Sequence, residues 1–281
     1  MKWWCSASTA AWDWTWRPYV GIWLFVLLVA ACYVRLRRGA TARGERVNGR
    51  HTVAFAVGTA ALWASLDWPL GALGAGYLVS AHTIQYLLLT FVATPLLLLS
   101  VSADTWRRLA RAPQVGMLLR TATAPLAGFA TYNTLLVLTH IPAISDPLMA
   151  RQLGNMAIDL AWFAGGLALW WPIVAPEGVG RMQPPVKMGY LFACTIIPTA
   201  PAAFLTFADY PLFSVFELAP RVNDIEALKD QQTAGIIMKL AADPFVWAAM
   251  AVIFFRWSAE ADREEAERRA MLSRRPASTR G

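Results

Sequence analysis

The chain of 281 residues is 57% hydrophobic and 15% charged, against about 45–50% and about 25% for a soluble globular domain, and its mean hydropathy of +0.42 excludes disorder and an ordinary soluble fold. Three cysteines exclude a disulfide framework. The net charge of +7 would suggest nucleic acid in a soluble protein, but its arginine blocks flank long apolar runs, so it reads as membrane orientation and no nucleic-acid partner is expected.

A helix rises about 1.5 Å per residue, so about 20 mostly apolar residues cross the hydrocarbon core of a bilayer. Seven such stretches are expected, at residues 19–34, 52–66, 77–99, 121–143, 155–174, 187–207 and 233–257, the second being short. The fold class is therefore all-α, a polytopic membrane protein. Residues 1–18 form an outer amino-terminal segment, 19–257 the transmembrane domain and 258–281 a polar cytoplasmic tail, in which Glu264–Arg268 and Glu265–Arg269 have the i,i+4 spacing of a solvated helix. Fourteen tryptophans suit a chain with many bilayer interfaces.

Alternating the connections between two sides puts nineteen Lys and Arg on one side, among them Arg35, Arg37, Arg38, Arg43, Arg46, Arg50, Arg181 and the seven from Arg256 to Arg280. The other side holds five: Lys2, Arg17, Arg151, Arg221 and Lys229. Basic flanks stay cytoplasmic, which places the amino terminus outside and the carboxyl terminus inside, and an odd number of spans satisfies this. A secretory signal fits less well, because the basic cluster follows the first apolar run rather than preceding it.

Polar residues within spans are costly unless paired or lining a cavity. His82, His140 and Asp159 fall in the outer leaflet; Tyr86 follows His82 at i+4 and Asp159 follows Asn155 at i+4, so each pair projects from one helix face. The seventh span opens with Asp230, Gln231 and Gln232 and carries Met238, Lys239 and Asp243. Imidazole with a thioether suits copper, whereas interhelical packing explains the same residues without metal, and two histidines do not make a coordination set. Lys239 pairs either with Asp243 within its helix or with Asp159 at similar depth. Pro95, Pro198 and Pro201 fall inside spans and kink them. No Cys-x-x-Cys pair, phosphate loop, metalloprotease helix or nucleophile elbow occurs, so no enzyme activity is expected.

Several segments together resemble the CtaG-type cytochrome c oxidase assembly proteins: WRPYVGIWLFVLLVAACYVRLRR at 16–38, SAHTIQYLLLTFVATPLLLL at 80–99, THIPAISDPLM at 139–149, GGLALWWPIVAP at 165–176, LTFADYPLF at 205–213 and DQQTAGIIMKL at 230–240, followed by Arg256 and Trp257. The resemblance implies assistance in maturing a haem-copper oxidase of the respiratory chain in a bacterial inner membrane. It also implies copper delivery to the CuB centre, an oxidase subunit as partner and membrane lipid around the chain. His82 matches the first of two family histidines four apart, with Tyr86 at the second; His140 matches the histidine of a His-x-Pro segment. Asn155 and Asp159 stand where the family carries another histidine pair, and Lys239 replaces an aromatic residue after the methionine.

Two readings stand. A divergent member holds the oxidase subunit without handling metal, the reading slightly favoured because phenol and amide groups are poor Cu(I) ligands and an ammonium repels a cation. Otherwise copper binds three-coordinate through His82, His140 and Met238. A copper or small-molecule transporter is disfavoured, because transport needs a midplane site and the histidines lie outside it. The loop at residues 209–232 is either a partner surface or an interfacial segment with Tyr210, Phe213 and Phe216 among the headgroups.

Overall fold

A backbone in hydrocarbon must satisfy its own N–H and C=O groups, which a helix does within one segment. Consistent with this, the computed structural model, which describes residues 2–45, 48–180 and 182–273, is helical and contains no strand among those residues. Arg46, Arg181, Arg274, Arg275 and Arg280, counted above, lie outside the described residues.

The elements are α1 (Val20–Ala42), α2 (Gly49–Leu66), α3 (Leu70–Gly74), α4 (Val79–Leu99), α5 (Ala103–Leu109), α6 (Pro113–Ala122), α7 (Pro125–Thr139), α8 (Pro142–Met149), α9 (Gln152–Val174), α10 (Pro184–Phe207), α11 (Ser214–Glu217) and α12 (Ala227–Ser273). Five of them, α1, α4, α9, α10 and α12, are long and apolar enough to cross a membrane. Helix α4 is central: 61% of its apolar window is buried, against 11% for α1, and it packs on α2, α3, α9 and α12. Helix α1 rests against α2 through Tyr33 and Phe55, whose rings stack at 3.7 Å.

Small residues set the closest approaches, as expected where lipid supplies no hydrophobic drive between helices. A Cβ on Gly166 of α9 would lie 2.6 Å from Thr94 Oγ1 of α4, and one on Gly235 of α12 would lie 2.7 Å from the Ala202 carbonyl of α10. These glycines let the backbones touch.

Prolines divide the expected spans. The expected fourth span at 121–143 is not one helix: Pro125 and Pro142 start α7 and α8, and the residues before them, Ala124 and Ile141, are extended at ψ 123° and 116°. Proline excludes its predecessor from the helical region and suits the first helical turn, so each break falls one residue upstream. The resulting α7 has 15 residues, about 22 Å. The expected sixth span is likewise interrupted, with helix over Pro184–Cys194 and Thr199–Phe207 and a turn between them at 195–198. Pro198 and Pro201 withhold two N–H donors there.

Pro95 acts differently. Before it, α4 widens to a π-type turn over Leu88–Ala93, the local adjustment that accommodates a ring lacking an N–H. The Thr90 carbonyl in that turn is satisfied instead by the Trp170 indole at 2.8 Å and the Thr94 hydroxyl at 2.7 Å. Its neighbour Trp171 donates to the Leu119 carbonyl at 2.8 Å. Both indoles of the double tryptophan thus cap main-chain oxygens.

Helix α12 runs without a break for 47 residues, about 70 Å, so residues 258–273 continue the last apolar helix well beyond hydrocarbon thickness.

Candidate functional site

The amino-terminal segment is sewn into the helix ends. Lys2 Nζ donates to the Ser6 and Ala7 carbonyls at 2.9 and 2.7 Å, Ala7 N donates to the Met149 carbonyl at 3.0 Å, and Gly21 N donates to the Trp3 carbonyl at 2.8 Å. The Trp3 and Trp4 amides both meet Gln152 Oε1, at 2.7 and 3.3 Å. This drives the Trp4 ring into the bundle, where it is 1% exposed. Cys5 is buried beside it, and burial pushes its thiol well above the ordinary range, so it is a packed thiol rather than a reactive one.

The Trp4 indole reaches Asp159 of α9. Trp4 Nε1 donates to Asp159 Oδ2 at 2.7 Å, Gln85 Nε2 of α4 donates to Oδ1 at 2.7 Å, and Asn155 Nδ2 approaches Oδ2 at 3.4 Å. Both carboxylate oxygens are therefore engaged by neutral donors. Lys239 is not among them. It sits 3.2 Å from Asp243 in its own helix and donates to Thr199 Oγ1 at 2.9 Å. The intrahelical alternative is the one the structure adopts.

Beside this network lies an aromatic layer. His82 packs its ring on Trp162 at 4.5 Å and on Phe216 at 5.6 Å, and Tyr86 lies 5.4 Å from Trp162 and 5.9 Å from His140. Tyr86 and Tyr132 share a hydrogen bond between hydroxyls at 2.9 Å. His140 Nδ1 donates to the Leu136 carbonyl at 2.8 Å, which directs Nε2 to act as an acceptor. Trp162 Nε1 donates to Thr139 Oγ1 at 3.0 Å. His82 Nδ1 is buried with no hydrogen-bond partner among the described residues.

His140 lines an apolar groove of about 350 Å³ between α7 and α10, with Val137, Ile141 and Phe204. Met238 lines a different cavity of about 20 Å³, with Tyr132, Cys194 and Lys239. Among the described residues no group of three or more His, Cys, Asp or Glu side chains converges as a metal site. His82 and His140 are linked through the Trp162 and Tyr86 rings rather than by direct contact. That pair does not complete a coordination shell.

The remaining polar residues of α12 do architectural work. Asp230 accepts from the Val79 and Ser80 amides at 2.5 and 3.3 Å and from the Ser80 hydroxyl, capping α4 from another helix. The residue before α4, Leu78, has no cap of its own. Gln231 Oε1 accepts from Leu212 N at 2.6 Å, and Gln231 Nε2 and Gln232 Nε2 donate to the Tyr210 and Ala208 carbonyls at 3.3 and 3.2 Å. These bonds hold the loop at 208–213 on the end of α12. Within the expected partner loop, Phe213 and Phe216 are 7% and 2% exposed while Tyr210 is 67% exposed. The two phenylalanines are core residues, and of the three only Tyr210 is exposed.

A profile for the cytochrome c oxidase caa3 assembly factor family, Caa3_CtaG, matches residues 27–260. The chain belongs to this family. No curated protein and no solved structure matches it. Trp4 and its segment precede the part of this Caa3_CtaG protein that the profile covers, so one donor to Asp159 comes from outside the matched residues. Sequence reasoning missed Trp4, Gln85, Tyr132 and Trp162. Gln85 was legible as an amide within an apolar run; Trp4 was not, because nothing in its local sequence marks it as buried.

Proposed function

We propose that this Caa3_CtaG protein assists maturation of a haem-copper oxidase by holding a partner subunit in the membrane, without coordinating copper at the His82–His140 layer. The observation that carries the reading is the engagement of Asp159 by Trp4, Gln85 and Asn155. At the positions where resembling proteins carry a histidine pair, this chain has a carboxylate whose two oxygens accept from neutral donors rather than a ligand set. Two further features support it: the hydroxyl of Tyr86 is taken by Tyr132, and Met238 and His140 line different cavities. A metal-independent role requires none of these groups to be free.

In this reading the chain crosses a bacterial inner membrane seven times, with α2 and α7 as the two shorter spans, the amino terminus outside and the long end of α12 in the cytoplasm. The basic residues of the connections support this orientation. The chain is not an enzyme in this reading. Copper delivery to CuB is the competing role, with His82, His140 and Met238 as ligands.

The deciding experiment compares the copper-to-haem ratio of oxidase purified from cells with and without the protein. Normal copper occupancy with reduced oxidase abundance is expected. Loss of copper with haem and subunits retained would overturn the metal-independent reading in favour of delivery, and no change in either would remove the oxidase role.

A further inference from the structure

The amino-terminal segment and the start of α1 line a third pocket, of about 380 Å³, unrelated to the Asp159 network. Its walls include Trp12, Trp16, Tyr19 and Tyr77, and two cations, Lys2 and Arg17, face it. No carboxylate contributes to its lining. Asp13 pairs with Arg17 at 2.9 Å from the solvent side, with both side chains about half exposed. Lys2 has no such partner: its ammonium donates to two main-chain carbonyls and meets no carboxylate among the described residues.

This is an electrostatically incomplete arrangement. Half-burial lowers the Lys2 pKa, which Cys5 partly offsets and the nearby Arg17 charge reinforces. Asp13 compensates Arg17, so the uncompensated charge is the Lys2 ammonium, and a half-buried cation without a counter-charge is stabilised by an anion placed beside it. The aromatic walls add apolar surface of the kind that lies at a bilayer interface, and the pocket adjoins the first residues of the apolar helix α1.

We propose that this pocket binds a phosphate group between Lys2 and Arg17, with the aromatic rings holding the apolar body that carries it. The same chemistry is supplied by an anionic phospholipid headgroup at the membrane interface or by a free phosphate in solution. The site does not depend on the oxidase role.

The test is thermal unfolding of the purified full chain in a neutral detergent, with phosphatidylglycerol or phosphatidylcholine added to the micelles, or with sodium phosphate against sodium chloride at equal ionic strength. Phosphatidylglycerol is expected to raise Tm by several degrees, as a ligand binding only the folded state does when well above its Kd. Phosphatidylcholine should not, and the gain should vanish in the Lys2→Gln/Arg17→Gln double variant. Because that variant also alters the Lys2 contacts, Ser8→Asp, which adds a carboxylate to the lining and leaves both cations, should abolish the gain independently. Equal protection by sodium phosphate alone would assign the site to a free phosphate. No protection by either, or protection that persists in the variants, would overturn the proposal.

Discussion

Trp4 Nε1 donates to Asp159 Oδ2 at 2.7 Å, joining residues 155 positions apart, and the two are 1% and 2% exposed. Trp4→Phe keeps most of the ring and removes the donor, leaving a buried oxygen short of a partner. A loss of about 1–3 kcal/mol is expected. Thermal unfolding of the single and double variants with Asp159→Asn checks it: Trp4→Phe should cost less when Asp159→Asn is already present, whereas equal costs would mean that the indole acts through packing alone.

Asp230 supplies from α12 the cap that α4 lacks. Asp230→Ala should destabilise by about 0.5–2 kcal/mol, as lost helix caps do, and Asp230→Asn, which keeps one acceptor oxygen, by less. The local readout is amide exchange. Val79 and Ser80 should exchange faster in the alanine variant, with amides in α9 little affected.

The Thr90 carbonyl is satisfied by Trp170 because Pro95 offers no N–H to the preceding turn. Trp170→Phe removes one of that carbonyl's two partners, the Thr94 hydroxyl remaining, and should destabilise by about 0.5–1.5 kcal/mol. Adding Pro95→Ala to it restores a main-chain donor to the same turn. The double variant is therefore expected to unfold at a higher temperature than Trp170→Phe alone.

Glu45, in the connection after α1, accepts from Thr105 Oγ1 at 2.6 Å, from Arg43 Nε at 2.9 Å and from Ser102 Oγ at 3.0 Å. Burial would raise its carboxyl, but these hydrogen bonds outweigh burial and hold it below the ordinary carboxylate value. A pKa lower in the folded than in the unfolded chain contributes stability that is present above the unfolded value, about 4.3. That stability is lost as pH falls through the folded value. Urea titrations at pH 7 and below pH 4 should therefore show an acid loss that Glu45→Gln reduces.

The sequence by itself determined that the chain is a helical membrane protein, where its long apolar segments lie, and that it resembles the oxidase assembly family to which the profile match assigns it. Those features are local: apolar runs, basic flanks and short motifs are read residue by residue. Tertiary structure decided the partners. Lys239 faced two acids at comparable depth, and only the packing of α12 on α10, which brings Thr199 to its ammonium, settled it on Asp243. Asp159 reads in sequence as one member of a converging polar layer, and only the fold brings Trp4 and Gln85 from remote segments to its two oxygens. The break of the expected fourth span belongs between these cases. Its prolines were visible in the sequence, but whether a proline kinks, widens or ends a helix depends on whether a neighbour such as Trp170 is placed to take up the freed carbonyl.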